Sequence, residues 1–433
     1  MAITSVKTSS PAPAATAPAS SYAVALTVVT SLFFMWGFVT VLNDVLVPHL
    51  KAIFSLNYAQ ASLIQFAFFL AYFIFSIPSA KLIDSVGYKK TMVVGVVVMG
   101  IGALLFIPAA MAPSYPLFLG ALMVLAGGIT ALQVAANPYV AVLGPPETAS
   151  SRLNLSQAFN SLGTALAPYV GGRLILSATR QSVDAVSQMS AEALQAYRVQ
   201  EASTVKTPYL IIGLALIALG IVIAMFKLPP MPGAEKHGKI EGESVWKHRH
   251  LVLGALGIFV YVGAEVSIGS FLINYFSQPN IGNILEVEAA KYVSFYWGGA
   301  MVGRFLGSAI LQKVRTGIVL GIAALMASLL VVTSILSVGQ VAMWSIILVG
   351  FFNSVMFPSI FTLGIAELGP LTGDGSGLLI MAIVGGALIP YGQGWLADRI
   401  GLHHAFILPA ICYLYIVYYA FKGSKPEPVM VQA

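Results

Sequence analysis

Uninterrupted apolar runs of about 20 residues recur along nearly the whole chain, and each can cross a hydrocarbon layer of about 30 Å as a helix. Helices are the expected element, because a span in lipid must satisfy its backbone hydrogen bonds internally. Of the 433 residues, 58% are hydrophobic and 9% are charged, whereas soluble domains carry about 25% charged residues. The sequence therefore predicts an all-α membrane protein and excludes a soluble enzyme.

The apolar runs predict twelve transmembrane helices, which we number as spans 1 to 12 in chain order. They cover roughly residues 23–49, 57–83, 91–112, 116–143, 151–178, 207–226, 249–276, 289–313, 316–337, 341–366, 375–397 and 403–422. Residues 1–21 are rich in Ser, Thr, Ala and Pro and lack a basic start followed by an apolar core, so they predict a disordered tail and not a signal peptide.

A polar stretch at residues 227–248 separates spans 6 and 7 and predicts a linker. It divides the chain into two six-helix halves, 22–226 and 249–423, with a short tail at 424–433. We expect the linker and both tails to be cytoplasmic, because basic residues then concentrate on the cytoplasmic side, as the positive-inside rule requires. The net charge is +6, but the basic residues are dispersed over the short loops between spans. This distribution favours an effect of membrane topology over nucleic-acid binding.

Internal similarity supports two related halves. The segment GTALAPYVGGRL at 163–174 returns as GGALIPYGQGWL at 385–396, and AVLGPPE at the end of span 4 is echoed by AELGPLT near the end of span 10. Parallel six-helix repeats are typical of the major facilitator architecture, in which the substrate binds near the midplane between the halves.

The loop between spans 2 and 3, AKLIDSVGYKK, is similar to a loop motif of the major facilitator superfamily, G-x-L-x-D-x-x-G-x-K/R-K/R. Asp84, Gly87, Lys89 and Lys90 match it, whereas Ala80 stands where the motif has glycine. An acid at a helix end can accept hydrogen bonds from the start of a neighbouring helix, which the fold would make span 11. We expect a conformational latch here, with a solvated turn as the alternative.

Polar residues inside the spans are the candidates for function. Asp44 on span 1 and Glu265 on span 7 fall within apolar runs, and these spans are equivalent in the two halves. Both acids can therefore face one central cavity. Gln133 and Asn137 share a face of span 4, as do Gln157 and Asn160 on span 5. Two further amides are Gln65 on span 2 and Asn353 on span 10.

These side chains suit a sugar carried together with a proton. Amides donate and accept hydrogen bonds at once, as adjacent sugar hydroxyls require, and Trp36 and Tyr261 could cover the apolar face of the ring. Ordinary packing is the alternative for both aromatics. A carboxylate in a cavity of low dielectric can hold a proton near neutral pH, which predicts that Asp44 is the proton carrier. The alternative is a carboxylate satisfied permanently by Asn43 or by the backbone.

Longer segments carry a more specific resemblance. The segments are FFMWGFVTVLNDVLVPHL, LQVAANPYV, SQAFNSLG, YVGAEVSIGSF, GGAMVGRFLGS and IVGGALIPYGQGWLADRIG. They look like the bacterial glucose/galactose transporters of the fucose:proton symporter family. The resemblance implies sugar uptake across the inner membrane driven by protons, a proton-linked Asp44, and sugar contacts from Gln157 and Asn160.

Two positions depart from this family pattern. Fucose-type members carry a glutamate where Gln133 stands, and they tend to have glutamine where Glu265 stands. We therefore expect no proton role for Gln133. Glu265 replaces the missing acid, orients the sugar, or pairs with a neighbour, and the sequence leaves all three open. The pattern favours glucose and galactose over fucose.

The second candidate function is a proton-coupled antiporter that exports drugs, because GTALAPYVGG approaches an antiporter motif, with Ala167 at its second glycine. Helix packing through small residues explains the same pattern. A third class, a sugar sensor, predicts a signalling domain that the sequence does not contain. We expect a monomer in a lipid bilayer, a monosaccharide substrate, no cofactor or metal, and H⁺ as coupling ion with Na⁺ as the alternative.

Overall fold

The computed structural model describes residues 19–54, 58–111, 114–174, 188–231 and 244–426. Helices make up the regular structure of these residues, as the apolar runs predict. Ten helical segments are long and apolar enough to cross a membrane, and spans 5 and 8, which are richer in polar residues, complete the twelve. The all-α fold with twelve spans is confirmed.

The observed spans lie within a few residues of the predicted ones. Their bounds are Ala19–Phe54, Tyr58–Val86, Tyr88–Met111, Tyr115–Val142, Ala149–Leu174, Lys206–Met225, Arg249–Phe276, Glu286–Ile310, Thr316–Leu336, Gly339–Gly364, Gly369–Ile400 and Leu402–Gly423. Span 1 begins at Ala19, inside the predicted tail. An additional helix, Ala191–Ser203, lies between spans 5 and 6 and was not predicted. The predicted tails and linker fall partly outside the described residues, at 1–18, 427–433 and 232–243.

Spans 10 and 11 of the C-terminal half are among those that are interrupted. Span 10 consists of the helices Gly339–Asn353 and Met356–Gly364. Span 11 contains a 3-10 turn at Ala382–Val384, which precedes the helix Gly385–Ile400. Interrupted helices leave backbone groups that other parts of the protein must satisfy.

Glycines bring spans 1 and 5 into close contact. A Cβ atom added at Gly37 would lie 2.6 Å from Nδ2 of Asn160, and one added at Gly163 would collide with the carbonyl of Phe34. Small residues at such positions let membrane helices approach closely, so that packing stabilises their association. The span that carries Asp44 is thus held against the span that carries Gln157 and Asn160.

The two halves are hydrogen-bonded to each other toward the linker end, which we define as the membrane side where span 6 ends and span 7 begins. The bonds join Ser150 Oγ to Thr316 Oγ1 (2.9 Å) and Thr362 Oγ1 (2.5 Å), Ser151 Oγ to the Ser308 carbonyl (2.7 Å), Asn154 Nδ2 to the Arg304 carbonyl (2.7 Å), Arg304 Nη1 to Ser161 Oγ, and Ser376 Oγ to the Val134 carbonyl (2.7 Å). Spans 2 and 11 also pack together there. The structure is closed at the linker end.

Candidate functional site

Asp44 lies in the second half of span 1, the half that points away from the linker end. Its side chain lies outside the described residues, so its role as proton carrier stays a prediction. Trp36, eight positions earlier and about 12 Å away along the helix axis, is buried and packs on Phe33 with ring centroids 4.1 Å apart. This contact favours the packing alternative for Trp36.

Gln133 and Asn137 are both buried on span 4. Nε2 of Gln133 donates a hydrogen bond to the hydroxyl of Tyr72 on span 2 at 2.8 Å, which fixes the direction of the amide. Both side-chain atoms of Asn137 are buried without a hydrogen-bond partner. A buried amide in that state costs about 1–3 kcal/mol for each unmade bond, so it marks a place where water or a ligand group binds.

The two amides of span 5 differ in their contacts. Nδ2 of Asn160 donates to the backbone carbonyl of Phe33 on span 1 at 2.9 Å. This hydrogen bond joins two helices, so it gives the Nδ2 group of Asn160 a structural partner and not a ligand. Gln157 is buried and has no hydrogen-bond partner in the described part of the chain. Of the two, Gln157 therefore has the amide that is free to bind a substrate hydroxyl.

Glu265 lies near the middle of span 7 and is half-buried. Its Oε1 atom is buried without a hydrogen-bond partner. Arg304 of span 8 acts on its carboxylate electrostatically, and so does Tyr261, which is four residues earlier on the same helix face. The Tyr296 hydroxyl donates to the backbone carbonyl of Glu265 at 3.3 Å.

Asn353 joins this acid to a polar cluster of the C-terminal half. Its Nδ2 donates to the Tyr296 hydroxyl at 2.8 Å, while its backbone carbonyl accepts from the Tyr261 hydroxyl at 3.1 Å. Its Oδ1 atom and the hydroxyl of Tyr413 are buried without partners. The structure thus brings the predicted residues Tyr261, Glu265 and Asn353 together, and it adds two tyrosines that sequence reasoning missed.

Gln65 is exposed on the half of span 2 that points away from the linker end. It precedes Phe69 by about one helical turn and Tyr72, whose hydroxyl bonds Gln133, by about two turns. The role of Gln65 as a substrate contact therefore stays a prediction.

Arg304 is a further residue that sequence reasoning missed. It is a half-buried cation within span 8, and its guanidinium donates to Ser161 of the other half. The available signal was a basic residue well inside an apolar run, in the segment GGAMVGRFLGS. A charge within a membrane span is costly and is therefore a functional candidate by default.

The loop between spans 2 and 3 lies at the linker end. Gly87 has a φ of +81°, which favours glycine. Lys89 Nζ donates to the Ala224 carbonyl in the last turn of span 6 at 2.8 Å, where a cation also complements the helix dipole. Asp84 and Lys90 are exposed. Span 11 is indeed the neighbour of this motif, while the latch role of Asp84 stays a prediction.

The arrangement offers polar groups from both halves within the membrane. The N-terminal half supplies buried amides on spans 4 and 5, whereas the C-terminal half supplies a carboxylate, an amide and several phenols. Hydroxyl-rich solutes bind through such donors and acceptors. In the described residues no group of His, Cys, Asp and Glu is arranged to hold a metal ion.

Comparison with known proteins gives consistent results for sequence and structure. A family model described as the Major Facilitator Superfamily matches residues 24–383. The chain is 52% identical over 425 residues to a glucose/galactose transporter of Brucella abortus, which covers 98% of this chain and 99% of that protein. It is 35% identical over 413 residues to the L-fucose-proton symporter of Escherichia coli, covering 94% of each.

The fold is similar to a solved structure described as a Major Facilitator Superfamily transporter, FucP, in the outward conformation. The TM-score is 0.86 at 35% sequence identity, and the match covers 92% of this chain and 98% of the other.

Proposed function

Because this chain belongs to the Major Facilitator Superfamily, we propose that it is a secondary active transporter that takes up a hexose by proton symport. Glucose and galactose are the proposed substrates. The observation that carries this proposal is the full-length similarity to a glucose/galactose transporter. The more distant similarity to a symporter of L-fucose and protons supports the coupling ion.

The contacts support a sugar as substrate. Gln133 is held in place by Tyr72, and the amide groups of Gln157 and Asn137 have no partners among the residues that the structure describes. Burying such groups is favourable only when they form hydrogen bonds, which the hydroxyls of a pyranose provide. Asn353 supplies an acceptor from the opposite half, so one sugar bound between the halves would contact both halves.

Proton coupling is assigned to Asp44. A protonated Asp44 with sugar bound leaves no net charge to move through the membrane interior, whereas an ionised Asp44 costs several kcal/mol there. Loading of both H⁺ and sugar therefore favours the conformational change. We place the protein in the bacterial inner membrane as a monomer with both termini cytoplasmic, so that the linker end faces the cytoplasm and this closed state opens outward.

The export of drugs is the less favoured function. Its sequence support was the small-residue pattern of span 5, and Gly163 of that pattern packs against the backbone of span 1. Close helix packing accounts for the glycine without antiport.

The experiment compares sugar-induced alkalinisation of the medium and uptake of labelled glucose in wild type and Asp44→Asn. We expect Asp44→Asn to exchange sugar but to lose accumulation driven by a gradient. A variant that concentrates sugar as well as wild type would show that Asp44 is not the proton carrier. Stimulation of wild-type uptake by Na⁺ at constant pH, without alkalinisation, would refute proton coupling, and efflux of dye without glucose uptake would favour export.

A further inference from the structure

Arg304 connects the two halves through its side chain. Nη1 donates to Ser161 Oγ on span 5, and the Arg304 carbonyl accepts from Asn154 Nδ2 of the same span at 2.7 Å. Its Nε atom is buried and has no hydrogen-bond partner. The guanidinium is therefore held by a neutral hydroxyl of the other half, which leaves most of its charge uncompensated by that bond.

Glu265 lies in the same half as Arg304, on the neighbouring span 7. The two side chains interact electrostatically, but Oε1 of Glu265 and Nε of Arg304 are each buried without a hydrogen-bond partner among the described residues. The other titratable groups that act on this acid are Tyr261 of its own span, Tyr296 of span 8 and Tyr413 of span 12, all of which carry neutral phenols. In the part of the chain that the structure describes, Arg304 is the cation that acts on Glu265.

We propose that Arg304 is a positioning residue that exchanges Ser161 for Glu265 when the halves separate at the linker end. Glu265 then serves as the fixed counter-charge of Arg304, and Asp44 is the carboxylate that carries the proton. This inference rests on the proposed symport function, and it decides among the three roles left open for Glu265.

Arg304 changes its partner because of which groups move together. When the halves part at the linker end, Ser161 leaves with the N-terminal half, whereas Glu265 stays beside Arg304. A cation left unpaired inside a membrane protein costs several kcal/mol, so the guanidinium turns to the acid of its own half. The Ser161 bond stabilises the state closed at the linker end, and the pair with Glu265 stabilises the other state.

The test measures exchange of labelled glucose or galactose in proteoliposomes without any ion gradient, for Arg304→Gln, Glu265→Gln and the double variant. Each single variant leaves one buried charge uncompensated, so we expect exchange to fall by about tenfold or more. The double variant removes both charges, and we expect it to recover to within about threefold of wild type. Arg304→Lys, which keeps the charge, should retain more exchange than Arg304→Gln.

The outcomes separate this proposal from the proposed function. A folded double variant that exchanges less than about a tenth as fast as wild type overturns the charge pair, whether or not the single variants fold. Glu265→Gln that keeps exchange but loses sugar-linked alkalinisation makes Glu265 the proton carrier and also overturns it. Wild type that exchanges neither sugar refutes the proposed function instead. Rescue by the double variant together with Na⁺-driven uptake refutes only proton coupling.

Discussion

Ser376 donates a hydrogen bond to the Val134 carbonyl, which a proline leaves without a partner inside its own helix. Pro138 lies four residues after Val134 on span 4, and proline has no N–H to bond the carbonyl four residues before it. Ser376 Oγ, on span 11 of the other half, donates to that carbonyl at 2.7 Å and is fully buried. The Val134 carbonyl of one half is thus satisfied by Ser376 of the other half only while the two halves are together.

Ser376→Ala should therefore weaken the state closed at the linker end. A net hydrogen bond contributes about 1 kcal/mol, and a buried carbonyl left unpaired costs up to about 3 kcal/mol. Since 1.4 kcal/mol is about tenfold in an equilibrium constant, we expect a shift of at least about fivefold toward the state open at the linker end.

Pro138→Ala supplies the matched background. It restores an N–H four residues after Val134, so the carbonyl is satisfied within span 4 whether or not Ser376 is present. Ser376→Ala should then have little effect, giving a coupling energy of about 1 kcal/mol in a double-mutant cycle. Ser151→Ala is the control, because Ser151 donates to the Ser308 carbonyl of span 8 at the same distance, 2.7 Å, and this bond does not involve Pro138.

The assay is the rate at which a membrane-impermeant maleimide modifies Ser359→Cys from the linker side, in a Cys412→Ser background. Ser359 is fully buried and shares a helix face with Thr362, which contacts Ser150 of the other half. Opening at the linker end exposes this face, so the modification rate follows the population of that state. Equal effects of Ser376→Ala with and without Pro138 would refute the reasoning.

Three other substitutions test contacts of the described residues. Arg152→Ala removes a guanidinium that binds three carbonyls at and just after the end of span 4, so unfolding in detergent should be easier by about 2 kcal/mol or more. Gly163→Val places methyl groups against the Phe34 backbone and should abolish transport by separating spans 1 and 5, whereas Gly120→Val, at an open position, should not. Tyr72→Phe removes the acceptor that orients Gln133, so the KM for sugar should rise about fivefold with unchanged protein yield.

Hydropathy predicted the spans well because lipid imposes one requirement on every helix that crosses it, a sufficiently long apolar segment. Span 7 shows this, with the same bounds in sequence and structure, 249–276. The helix Ala191–Ser203 was missed because it is polar and does not cross the membrane, so its sequence lacks that signal.

Side-chain partners were harder to predict, because the two members of a contact are distant in sequence. Asn160 was predicted to contact the sugar because it is an amide inside a span, yet its Nδ2 atom donates to the Phe33 carbonyl of span 1. Arg304 was missed because its partner Ser161 lies 143 residues away, and neither residue forms a motif by itself. Sequence thus identified which residue types are costly inside a membrane, while the packing of spans decided which of them are already satisfied.

The contact between spans 2 and 11 shows how a departure from a motif is compensated by packing. Ala80 stands where the loop motif has glycine, but a Cβ atom added at Gly377 of span 11 would lie 2.8 Å from the Cβ of Ala80. The glycine on span 11 thus leaves room for the methyl group of Ala80 on span 2. Close approach of two helices requires that the combined size of the two facing side chains be small, so the glycine can lie on either helix. The close approach at the predicted latch therefore depends on both residues of the pair, and the motif position alone does not decide it.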